Sequence, residues 1–127
     1  MNNKKIIYSL SFFIPIAIIF ICWFILKVPP FGDNVFLFGD DEIEYMNFFS
    51  YYKTFFTSNN TLFYSLARCG GAPMFNMLAF YNFVSPLNFL FFFCPEEYMN
   101  IGFQFLIALK LGFCGLSFAY FLNKEFG

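Results

Sequence analysis

Ile6-Ile7-Tyr8-Ser9-Leu10-Ser11-Phe12-Phe13-Ile14-Pro15-Ile16-Ala17-Ile18-Ile19-Phe20-Ile21-Cys22-Trp23-Phe24-Ile25-Leu26 is a run without a single charge. As an α-helix it is about 31 Å long at roughly 1.5 Å per residue, enough to cross the hydrocarbon core of a bilayer. A cleaved signal peptide has a shorter apolar core, about 7–15 residues, and a small-residue cleavage site. This run ends instead in Trp23-Phe24-Ile25-Leu26-Lys27-Val28-Pro29-Pro30, which reads as an uncleaved anchor over residues 6–28. Pro15 inside it deprives the Ser11 carbonyl of its helical donor. A neighbouring helix has to cover that defect in lipid.

The rest of the chain agrees with a membrane setting. Of 127 residues, 60% are hydrophobic and 27% aromatic, with 25 Phe, and mean hydropathy is +0.65. A water-soluble globule of this size cannot bury so many rings. Net charge is -1, and no basic run points to nucleic acid. The absence of His and of any Cys-x-x-Cys argues against zinc. Cys22 and Cys114 fall inside apolar runs, and Cys69 and Cys94 between them; free thiols are the plainer reading.

A second span reads over residues 101–122, followed by Asn123-Lys124-Glu125. Ala108, Gly112, Gly115 and Ala119 form one small-residue face on it, suited to close helix packing. Lys110 points almost oppositely, as an intramembrane structural cation that calls for a polar partner. One face wants a helix and the other a polar group, so a larger bundle is expected, with the chain a truncated piece or the partner of other subunits.

Between the spans, Lys27, Lys53 and Arg68 stand against seven carboxylates, Asp33, Asp40, Asp41, Glu42, Glu44, Glu96 and Glu97. Lys4, Lys5 and Lys124 favour cytoplasmic ends, residues 1–5 and 123–127, by the positive-inside rule. Lys27 argues mildly the other way. The acidic loop 29–100 is then extracytoplasmic. Within it, residues 40–56 read as an amphipathic helix on the membrane surface. Tyr45, Phe48, Phe49, Tyr52, Phe55 and Phe56 share its aromatic face. Residues 74–94 read as short interfacial or re-entrant segments breaking at Ser85-Pro86; the alternative is a third crossing. The fold class expected is an all-α membrane protein, two transmembrane helices flanking this loop.

Pro30-Phe31-Gly32-Asp33-Asn34, Gly39-Asp40 with Tyr45 five residues after the Asp, and Phe48-Phe49 come in that order. Gly70-Gly71, Ser85-Pro86-Leu87-Asn88, Pro95, Leu109-Lys110-Leu111-Gly112 and Gly115-Leu116 follow. The ordered set resembles the N-terminal part of the YfhO family of bacterial membrane proteins, whose members are several-fold longer. The resemblance implies a polytopic glycosyltransferase of the GT-C type. Such enzymes take a polyprenyl-phosphate-linked sugar donor and use acids of the first extracytoplasmic loop to glycosylate a cell-envelope polymer such as lipoteichoic acid. It implies a catalytic role for Asp40. Glu44 stands where the family often has Gln, and Asp41 adds a neighbouring acid, so both Asp40 and Asp41 are catalytic candidates.

Sugar transfer to a hydroxyl needs a base as positive charge develops at the anomeric carbon, and a carboxylate can serve. The plainer role for Asp40 is to cap the helix that follows. Asp40 and Glu44, four apart, could hold Mg²⁺ or Mn²⁺ with donor phosphate, although a solvated acidic rim is the plainer reading. Arg68 beside Gly70-Gly71 could bind a lipid phosphate, while Glu44, Tyr45 and Asp33 complete the substrate-binding candidates. Alone, the chain is not expected to be active. The alternatives are a small non-enzymatic membrane subunit and a part of a transporter or flippase. The reading frame beyond Gly127 separates the first from the enzyme, and solute movement without sugar transfer marks the second.

Overall fold

The computed structural model describes residues 2–34, 46–54, 63–64, 71, 73, 75–76 and 85–126. Among these the regular elements are helical: α1 (Asn2–Leu26), α2 (Met46–Thr54), a 3₁₀ helix (Pro86–Phe93), a 3₁₀ turn (Glu96–Tyr98) and α3 (Met99–Phe126). No strand occurs among the described residues. Two stretches, Lys4–Leu26 and Glu96–Phe126, are long and apolar enough to cross a membrane. The chain divides into two compact units, Met1–Phe36 with Phe103–Gly127, and Leu37–Gly102.

In the first unit α1 and α3 run antiparallel. Tyr8 lies against Tyr120 with ring centroids 6.4 Å apart, Phe12 against Phe113 at 5.2 Å, and Phe20 against Phe105 at 5.5 Å. The last two are edge-on pairs, the geometry that ring quadrupoles favour, each adding about 0.5–1.5 kcal/mol beyond burial. The small-residue face of α3 is what admits this contact. A Cβ on Gly112 would stand 2.7 Å from Ile16 Cδ1, and one on Gly115 would run into the Ser11 carbonyl oxygen and come within 3.1 Å of Pro15. Ala108 is buried with Trp23 and Val28. The carbonyl that Pro15 leaves without a donor therefore lies against the Gly115 backbone, where a weak Cα–H···O contact can form. The neighbour that the Pro15 defect requires is α3.

The second unit is built on apolar contact between short helices. Phe48 and Phe49 of α2 are buried, and Phe49 stacks on the buried Phe91 of the 3₁₀ helix at 4.2 Å. Part of the aromatic face expected to lie on lipid is thus covered by protein. Two short helices, each too small to bury an apolar side alone, satisfy one another. Asn47, on the other side, is exposed. Residues 40–45 and 55–56 of the expected amphipathic helix lie outside the described residues.

Ser85 is extended, with φ −111° and ψ 116°, as a residue before proline prefers. Pro86 opens the 3₁₀ helix, where its missing N–H costs nothing; the Asn88 N–H donates to the Ser85 carbonyl at 3.0 Å. The helix ends at the extended Cys94. The Cys94 thiol donates to the Tyr98 carbonyl at 3.5 Å, and a Cβ on Gly102 would stand 2.6 Å from its sulfur. Residues 77–84 lie outside the described residues.

Candidate functional site

The described part of the site is the turn that leads from α1 into the acidic segment. α1 ends in a Schellman motif: the Val28 N–H donates to the Trp23 carbonyl at 3.0 Å and the Lys27 N–H to Phe24 at 3.3 Å. Lys27 takes the left-handed position, φ 51°, where glycine is usual. The apolar contact that accompanies the motif is here Val28 with Trp23, which is 2% exposed. Phe31 folds back so that its ring meets Phe24 at 5.8 Å and Phe20 at 6.1 Å.

Asn34 completes the turn. Its side-chain amide donates to the Leu26 carbonyl at 2.6 Å, and its backbone N–H to the Lys27 carbonyl at 3.0 Å. Two carbonyls at the helix end are thereby satisfied. Gly32 sits so close that a Cβ there would be 2.5 Å from the Lys27 carbonyl oxygen. Within Pro30-Phe31-Gly32-Asp33-Asn34 the glycine, the phenylalanine and the asparagine therefore have structural work. Asp33 is exposed between Gly32 and Asn34, its carboxylate turned to the surroundings.

Asp40, Asp41, Glu42, Glu44, Tyr45 and Arg68 lie outside the described residues, as does the Asp40–Glu44 pair considered for Mg²⁺ or Mn²⁺. Lys110 is half-buried on α3. Asp33 and Lys110 belong to the same unit, yet no ion pair joins them. Among the described residues no carboxylate pairs with Lys110.

Three polar residues take structural positions that the sequence alone did not assign to them. Gln104 on α3 is 1% exposed, and its Oε1 has no hydrogen-bond partner among the described residues. The signal was available, since an amide in an apolar helix meets the same cost that drew attention to Lys110. Asn88 is buried in the 3₁₀ helix. Asn123 donates its side-chain amide to the Tyr8 hydroxyl, tying the end of α3 to the start of α1.

A chain whose regular elements are helical among the described residues, two of them apolar enough to span, with a built turn leading from the first into an acidic segment, has the character of an integral membrane protein. Residues 11–127 match the family model described as bacterial membrane protein YfhO. The chain belongs to that family. No curated protein matches it, and no solved structure does.

Proposed function

We propose that this chain carries the acid-bearing extracytoplasmic loop of a membrane glycosyltransferase of the GT-C type. The reaction is transfer of a sugar from a polyprenyl-phosphate donor to a hydroxyl of a cell-envelope polymer such as lipoteichoic acid. The observation that carries this reading is the family match over residues 11–127. It is supported by the order of the chain, in which Asp40 and Asp41 follow the turn closed by Asn34 and precede α2. In the expected orientation the N-terminus is cytoplasmic and α1 delivers the loop to the outer face.

In this reading Asp40 takes the proton of the acceptor hydroxyl as the bond from the anomeric carbon to the phosphate breaks. Asp41 is the second candidate for that base. Arg68 meets the donor phosphate through paired charged hydrogen bonds. Glu44, Tyr45 and Asp33 hold sugar or acceptor hydroxyls, and Lys110 remains a structural cation of the membrane interior. A divalent ion between Asp40 and Glu44 is compatible with the chemistry and is not needed by it.

The test is Asp40→Asn and Asp41→Asn in the full-length protein, assayed with a polyprenyl-phosphate sugar in vesicles. Loss of general base catalysis lowers the rate on the order of 10²–10⁴-fold. That loss is expected for Asp40→Asn, with Asp41→Asn within about tenfold of wild type by the same measure. Undiminished transfer by Asp40→Asn removes its role as base. Absence of transfer by the wild-type protein favours the non-enzymatic subunit instead.

A further inference from the structure

We propose that the seam between the first turns of α1 and the last turns of α3 binds an anionic glycerophospholipid. A groove of about 350 Å³ opens there, lined by Tyr8, Leu116, Ser117 and Tyr120. Lys5 stands three residues before Tyr8. Lys124 stands four after Tyr120 and seven after Ser117. These spacings put both ammonium groups on the groove's face, one turn nearer the helix ends, and both lysines are exposed. Deeper along the seam the rings of Phe12 and Phe113 meet at 5.2 Å.

The order of chemistry down the groove matches that of a phospholipid. Two cations face the phosphate. The Tyr8 hydroxyl accepts a hydrogen bond from the Asn123 amide, which leaves its own proton to donate to an ester oxygen. Leu116 and the Tyr120 ring in the groove's lining offer apolar surface to an acyl chain, and the Phe12–Phe113 pair lies beyond them along the seam. The acidic residue nearest, Glu125, lies about 100° round the helix from Lys124, so the groove face keeps its positive charge. A second groove of about 370 Å³ on the other side of the pair includes Ile7, Ser11 and Phe118 in its lining, and no tyrosine. Lys4, three residues before Ile7 and four before Tyr8, stands between the two grooves. The site is independent of sugar transfer.

The full chain, purified in detergent, is offered phosphatidylglycerol or phosphatidylcholine of the same acyl chains. Retained lipid is counted by native mass spectrometry. Wild type is expected to hold phosphatidylglycerol in preference. Lys5→Gln with Lys124→Gln should reduce that preference about 25-fold, roughly fivefold for each lysine at an anionic headgroup. Lys110→Gln should leave it in place. Raising salt to 1 M should abolish the preference in unaltered protein, a reading that does not depend on how the variants fold. Equal retention of the two lipids overturns the proposal, as does a preference that survives the double substitution or 1 M salt. A preference lost instead with Lys110 also overturns it. Displacement of phosphatidylglycerol by millimolar inorganic phosphate would mark a simple anion site and overturn the lipid assignment.

Discussion

At the residue scale the most informative position is Lys27. An L-residue with a side chain held at φ 51° gives up roughly 1 kcal/mol that glycine would not. The hydrogen bonds from Val28 and Lys27 back into α1 and the burial of Val28 on Trp23 hold it there. Lys27→Gly is therefore expected to stabilise the turn by about 1 kcal/mol, less the wider freedom glycine gains in the unfolded chain. Gly32→Ala should do the opposite, because its methyl group would meet the Lys27 carbonyl, which is backbone and cannot rotate away. Asn34→Ala removes the donor to Leu26 and should cost about 1 kcal/mol. Trp23 is the chain's one tryptophan and lies in this turn's apolar contact, so its fluorescence during unfolding in mixed detergent reports all three. A higher midpoint for Gly32→Ala than for Lys27→Gly would show that the turn does not hold as described.

At the scale of elements, the glycines of α3 differ in what they face. Gly112 meets the end of the Ile16 side chain, which can change rotamer, whereas Gly115 meets the Ser11 main-chain carbonyl. Gly115→Ala should therefore separate α1 from α3 at a cost on the order of 1–3 kcal/mol, as overpacking does, and Gly112→Ala should cost clearly less. Cysteine pairs placed across Tyr8 and Tyr120 can follow the helix separation by their rate of oxidation. Equal effects of the two substitutions would mean that the Ser11 carbonyl does not face Gly115. Much of this contact was legible beforehand, because small residues at spacings of three and four mark a packing face whatever the partner is. The partner itself was not, since helical spacing identifies a face and not what covers it. For the same reason Phe48 and Phe49 read as a lipid-facing stripe, yet Phe91 lies against Phe49. Aromatic periodicity looks the same against a bilayer and against another helix. Of the candidate site, the acids were visible as a cluster, and the structural work of Gly32 and Asn34 was not, because turn bonds to Lys27 and Leu26 leave no periodic trace.

At the scale of the whole molecule the open question is what α3 faces away from α1. Lys110 is half-buried with no carboxylate paired to it among the described residues. A lysine at the centre of a span costs on the order of 3 kcal/mol on the gentlest scale, and within this chain nothing described offsets it. Lys110→Leu in the isolated chain is therefore expected to raise stability by up to about 3 kcal/mol, seen as a higher unfolding midpoint in the Trp23 fluorescence. Were Lys110 already neutralised by a buried carboxylate, the same substitution would strand that acid and lower stability by about 3–5 kcal/mol. The sign alone distinguishes the two. A gain means that α3 presents an unmatched cation, held at a cost that only a further helix or a bound anion can offset. The gain should vanish or reverse wherever a partner helix brings a carboxylate to Lys110.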